Sequence, residues 1–317
     1  MYQGFLVPKA STSKYGYALG GKSDTGGLTT TRADRITFST GVTAVNTASS
    51  LSLTRYGAAG ISDGSTYGYA LGGATGGVSG YDETTRADRL TFSSGVTAQN
   101  TASKLSYARS SLSGISDGSV YGYALGGEFT GGFTALADRL TFSSGVTAAN
   151  TVSNLSSNRS SVAGLSDGST YGYASGGSNY TYATNRLTFS TGVTATNTVS
   201  ALSTGRSGAA GISDGSTYGY VLGGYTGGAG PGVYADRLTF STGVTAQNTA
   251  SRLSVGRYYL PGLSDGTKYG YALGGYSSDY SAVTDRLTFS TGATAANTAS
   301  NLSLARHSAA GFSDNMA

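Results

Sequence analysis

Apolar and polar positions alternate along this chain in short runs, and the runs return in a fixed order. SVAGLSDG is a brief apolar stretch ending in Asp167-Gly168. Asp-Gly between two β-like runs predicts a two-residue hairpin of type I′. YGYASGG follows, with Tyr171 and Tyr173 on one face and the small Gly172 and Ala174 on the other. The glycine pair ends this strand. After a variable stretch comes NRLTFS, where Leu187 and Phe189 alternate with polar residues. A Gly-containing turn (TGVTA) leads to a fourth predicted strand through NTVSALS, and Arg206 closes the unit. No long window places apolar residues at i, i+3, i+4 and i+7, so almost no helix is expected.

The unit recurs. Its YGY motif begins at Tyr15, Tyr67, Tyr121, Tyr171, Tyr218 and Tyr269. A period of about 50 residues predicts an array of equal units. Units of this size cannot each hold a core, so residues 1–317 are read as one all-β domain. Four strands joined as a meander describe a propeller blade, and six copies predict a six-bladed β-propeller. A solenoid is the alternative, but its ends would need distinct caps. The termini favour a closed ring. The first copy lacks the SAAGxSDG strand before YGYALGG, and the chain ends on SAAGFSDNMA. Residues 308–314 are therefore expected to supply the strand missing from the first blade, which removes exposed edges. Residues 1–14 are read as an N-terminal arm.

The unit resembles a kelch repeat. The features are a strand ending in a glycine pair (YALGG), an aromatic in the next strand (Phe38, Phe92, Phe142, Phe189, Phe240, Phe289) and an LSxxR that closes each copy. Two positions depart from the kelch pattern: the chain has no Trp, and the aromatic is Phe where kelch units more often carry Tyr. The near-identical copies (RLTFSTGVTA, SDGSTYGYALGG) also resemble repeat proteins of bacteriophage and cyanobacterial genomes, often among virion or tail-associated genes. That resemblance implies a virion component. A cytoplasmic protein-interaction scaffold is the alternative.

Chemistry is sparse. Charged residues are 11% of the chain, the net charge is +4, and Cys is absent. Disulfides and thiolate metal sites are excluded. The Arg excess recurs from unit to unit instead of gathering on one face, so nucleic-acid binding is not expected. The N-terminus has no secretory pattern. No apolar run is long enough to cross a bilayer. The chain therefore reads as soluble and without membrane insertion. It holds one His, His307, beside a repeat Arg, and two Glu, Glu83 and Glu128. His307 is read as a surface substitution. With so few acid, base and nucleophile groups, no enzyme activity, cofactor or metal is expected. Most Asp are repeat positions. Asp63, Asp117, Asp167, Asp214, Asp265 and Asp314 sit at the hairpin, and Asp34, Asp88 and Asp138 stand beside Arg35, Arg89 and Arg139. These, with the closing Arg55, Arg109 and Arg159, are expected to tie strands or blades together. A metal at the channel is the functional alternative. The YGY tyrosines are read as blade-interface packing, against the alternative of a lectin with one glycan pocket per blade.

Variation between copies points to function more directly. The segment between the glycine pair and the third strand runs from about seven to about fourteen residues and differs in every copy. Loops on a rigid scaffold are where recognition is usually placed. These loops hold Tyr81, Phe129, Phe133, Tyr180, Tyr182, Tyr225, Tyr234, Tyr276 and Tyr280 among Gly, Ser and Thr. The turns after each fourth strand open on the same face and add Tyr56, Tyr258 and Tyr259. Aromatics among small polar residues resemble paratope composition. Drift in solvated loops is the alternative. The expectation is a non-enzymatic binding module whose loop face contacts a cell-surface glycan or a neighbouring virion protein. Assembly into a homo-oligomer is compatible with it.

Overall fold

The computed structural model describes residues 14–23, 28–76 and 82–314. They form six four-stranded antiparallel sheets arranged around one axis, a six-bladed β-propeller. Blades 1 to 6 are named here by their YGY strands: Tyr15–Leu19, Tyr67–Leu71, Tyr121–Leu125, Tyr171–Ser175, Tyr218–Leu222 and Tyr269–Leu273. In blade 4 the strands run, from the axis outward, Ala163–Ser166, Tyr171–Ser175, Thr184–Thr188 and Val193–Thr196. The other blades repeat this order.

The ring closes as the termini predicted. Ala310–Ser313 is the innermost strand of blade 1, with Leu19 opposite Ala310 and Gly16 opposite Ser313. The carboxylate of Asp314 accepts hydrogen bonds from the backbone N–H groups of Lys14 (2.9 Å) and Tyr15 (3.1 Å). It rebuilds, between the two chain ends, the turn that Asp63 makes within one hairpin.

That turn is not the predicted type I′. Four residues, not two, join the strands, and Gly64 has positive φ (73°) while Asp63 does not. Asp63 Oδ1 accepts from the backbone N–H groups of Ser65 (2.9 Å), Thr66 (2.7 Å) and Tyr67 (2.9 Å). A carboxylate that satisfies three turn N–H groups makes the longer loop the better solution. The fourth strand also differs from expectation. It lies at Val193–Thr196, and Thr198–Ser200 of the NTVSALS segment is a 3-10 turn. The reason is a buried serine. In the equivalent turns the Ser49 and Ser103 hydroxyls donate to the Gly95 and Gly145 carbonyls of the following blade, each at 2.6 Å. A regular strand would not aim that hydroxyl across the seam.

The core lies between blades, not within them. One buried cluster occupies each seam; the one between blades 2 and 3 joins Ile61, Tyr69 and Leu71 to Ala124, Leu140 and Phe142. The second tyrosine of every YGY is fully buried. It stacks on the phenylalanine of the next blade, as in Tyr69–Phe142 (6.1 Å) and Tyr123–Phe189 (6.1 Å). The first tyrosine lies under the Arg of its own sheet, as Tyr15 under Arg35 (4.2 Å) and Tyr67 under Arg89 (4.3 Å), and Arg139 covers Tyr121 likewise. These tyrosines are packing residues. At the axis the inner strands approach so closely that a Cβ on Gly114 would stand 2.0 Å from the Gly60 carbonyl oxygen.

Buried ion pairs cross the seams. Arg55 pairs with Asp88 (2.5 Å), Arg109 with Asp138 (2.7 Å), Arg206 with Asp236 (2.7 Å) and Arg306 with Asp34 (2.6 Å); Arg257 pairs with Asp285. In each case the Arg that ends one blade reaches the third strand of the next. Burial pulls the Arg109 guanidinium below its ordinary value, and Asp138 pushes it back. The seam between blades 3 and 4 is the exception: Arg159 meets Asn185. With no carboxylate to oppose it, burial lowers Arg159 to about 10.

Candidate functional site

Each inner strand starts, and each YGY strand ends, on the same face of the ring, so all the variable loops emerge there. Two equivalent positions per blade organise this loop face. The residue after each closing Arg pairs with the residue after a glycine pair: Tyr56 with Ala74, Ser110 with Glu128, Ser207 with Tyr225, Tyr258 with Tyr276 and His307 with Lys22.

The next residue in each turn is left-handed: Gly57, Ser111, Ser161, Gly208, Tyr259 and Ser308 have φ between 54° and 67°. Their peptides circle the channel mouth. Ser308 N–H donates to the Tyr259 carbonyl, Tyr259 to Gly208, Gly208 to Ser161, Ser161 to Ser111, and Gly57 to Ser308. Tyr259 is the outlier, since a bulky residue at positive φ is strained. Its ring bears against Gly208, where an added Cβ would come within 2.7 Å of Tyr259 Cδ1. Burial and then the Glu128 charge push the Tyr259 hydroxyl up to about 12.

Above the mouth lies a basin of about 800 Å³. Its walls carry Lys22, Tyr56, Asp82, Glu83, Glu128, Phe129, Phe133, Tyr259 and His307. The chain's one histidine and both of its glutamates thus share one cavity. Ser111 Oγ and Ser110 Oγ donate to Glu128 Oε1 at 2.7 and 3.4 Å. Thr130 Oγ1 donates to Glu83 Oε2 at 3.1 Å, which links the loops of blades 2 and 3. The Lys22 ammonium stands over the Tyr56 ring at 5.7 Å.

His307 is not a surface residue. It is 9% exposed, packed by Tyr280 (5.2 Å, nearly parallel), Tyr259 (5.4 Å) and Tyr276 (5.8 Å). Its Nδ1 lies 2.8 Å from Ser308 Oγ. Burial, then the Lys22 charge, lowers it to about 4, so the imidazole is neutral at pH 7.

An aromatic arc runs from there round the other half of the face. Tyr180 meets Tyr225 (5.6 Å), Tyr225 meets Tyr258 (5.1 Å), and Tyr258 meets Tyr259 (4.7 Å) and Tyr276 (5.6 Å). Most of the sequence-predicted aromatics therefore fall in the arc or the basin. Tyr182, 57% exposed, and Tyr234 touch none of these rings, and Tyr81 lies outside the described residues. The predictions missed Lys22, Asp82, Glu83, Glu128 and His307. For Glu83, Glu128 and His307 the signal was rarity, since Glu and His occur nowhere else in the chain; Lys22 and Asp82 carried no such signal.

Among the described residues no group of three His, Cys, Asp or Glu is placed to hold a metal ion, and no helix is long and apolar enough to cross a membrane. No family model matches the chain, and no curated protein was found to be similar to it.

Proposed function

We propose that this propeller is a non-enzymatic binding module that holds a partner on its loop face, with the basin at the centre of recognition. The observation that carries this is the convergence of rare residues: the one histidine, His307, and the two glutamates, Glu83 and Glu128, meet in one cavity on a scaffold that the repeat supplies. Drift would scatter such residues over six loops. Hydroxyls hold the two glutamates, and His307 is wedged among tyrosines; this suits a fixed recognition surface better than proton transfer. The setting we propose is a virion, in a tail, fibre or capsid decoration, with a host-surface glycan or a neighbouring virion protein as the partner. The resemblance of the repeats to bacteriophage proteins supports that setting.

The test has two stages. Native source material is sedimented, and particle and soluble fractions are compared by mass spectrometry. Stoichiometric travel with large particles is expected, and a chain found only in the soluble fraction would overturn the virion setting. Replacing the blade 2 and blade 3 loops with the short blade 4 loop should then abolish capture by the partner. Unchanged capture would overturn the loop-face reading.

A further inference from the structure

From the basin's composition we infer that its ligand is an organic cation: an ammonium or guanidinium group, such as a Lys or Arg side chain presented by a partner polypeptide. This rests on the loop-face reading and names its chemistry. Among the described residues, the basin walls carry the carboxylates of Asp82, Glu83 and Glu128 and, besides His307, a single basic side chain, Lys22. Three negative charges against one positive leave a formal −2, in a chain whose net charge is +4. His307 adds nothing to the positive side at neutral pH, because it is buried beside Lys22. A cavity lined by one sign of charge concentrates counter-ions of the other.

Three further observations specify the cation. The first is internal precedent: the Lys22 ammonium already lies over the Tyr56 ring, so the wall takes an alkylammonium by cation–π contact. The second is a polar atom at the basin wall that the fold leaves without a protein partner. His307 lines the basin, and its Nε2 has no hydrogen-bond partner among the described residues. The third concerns the rings. Those nearest His307 pack on one another, Tyr280 flat against the imidazole and Tyr259 and Tyr276 around it, so their faces are not free as a platform for a sugar. The carboxylates are not grouped for a metal ion either. An organic cation uses the charge, the Tyr56 ring face that Lys22 now covers and the spare imidazole nitrogen together.

The single histidine gives a background-free reporter. The His307 imidazole resonances of the full chain are followed while an acetylated tri-arginine amide, spermidine, lactose or a tri-glutamate peptide is added. Saturable movement with tri-arginine is expected, weakening several-fold between low and about 0.5 M salt as screening grows. A Glu83→Gln, Glu128→Gln double variant should weaken it ten-fold or more. Lys22→Ala, which removes the resident cation, should tighten it. The Gln variant keeps acceptors for Ser111 and Thr130, and an unchanged melting temperature would confirm that it is folded. Spermidine binding as tightly as the peptide would identify the source as a small polyamine; preference for the peptide would identify a polypeptide partner. Movement with lactose but not with either cation would overturn the inference and leave the loop-face reading standing. Equal binding by wild type and the Gln variant, or no movement with any cation, would also overturn it.

Discussion

The blade seams and the loop face follow opposite rules. At the seams each device is repeated: the buried tyrosine on the next blade's phenylalanine, the serine hook, the Arg that reaches a third-strand carboxylate. On the loop face the residue at an equivalent position varies among the blades. The equivalent position after the closing Arg is Tyr56, Ser110, Ser160, Ser207, Tyr258 and His307 in turn. The contrast teaches where each kind of constraint acts. A seam must fit its neighbour, and the neighbour is nearly the same blade again, so one solution serves at every seam except for the Arg159–Asn185 pair. The loops meet only solvent or a partner, and are free to differ.

The largest expected effect tests the seams. Arg109→Ala leaves the buried Asp138 carboxylate uncompensated and should cost about 3–5 kcal/mol in chemical denaturation. A loss under about 1 kcal/mol would mean that the seams do not depend on these pairs. Acid tests whether one loop-face residue can matter as much. The folded-state value of His307, about 4, lies below its ordinary one of about 6.5. On acidification the unfolded chain therefore takes up the proton first. The contribution of His307 is complete above about pH 6.5 and falls by roughly 3 kcal/mol in total as pH drops toward 4. The difference between wild type and His307→Gln across that window isolates it, and parallel curves would refute it.

A smaller change should make the odd seam conform. Asn185→Asp offers Arg159 the carboxylate that its five counterparts have and should raise stability by about 2 kcal/mol, read as a higher denaturation midpoint. A lower midpoint would show that the asparagine is preferred there. The smallest effect lies at the channel mouth. Tyr259→Gly and Tyr259→Ala both remove the ring, but only the alanine keeps the left-handed strain, so the glycine variant should be more stable by about 1 kcal/mol. Equal stabilities would mean that the backbone there relaxes at no cost.

The sequence-based reading fails where a side chain takes over a backbone role and where contacts leave the repeat unit. YGYALGG and its neighbours identify strands, and the split of one unit between the termini identifies closure, because both depend on local pattern and its recurrence. The Asp63 turn and the Thr198–Ser200 turn were misread because a side chain, carboxylate or hydroxyl, takes over bonds that propensity assigns to the backbone. His307 was misread because nothing in LSLARHS shows that Lys22, Tyr259, Tyr276 and Tyr280 close around it.

The sequence by itself determined the all-β class, six blades, the register of closure and the single face on which the loops emerge, since a period near 50 residues leaves few other ways to pair the strands and bury the seams. Only the tertiary structure decided which loop residues share a cavity. Lys22, Glu83, Glu128 and His307 lie far apart along the chain, and they meet because the ring brings blades 1, 2, 3 and 6 to a common mouth. Proximity of that kind depends on ring geometry, and no local pattern of residues encodes it.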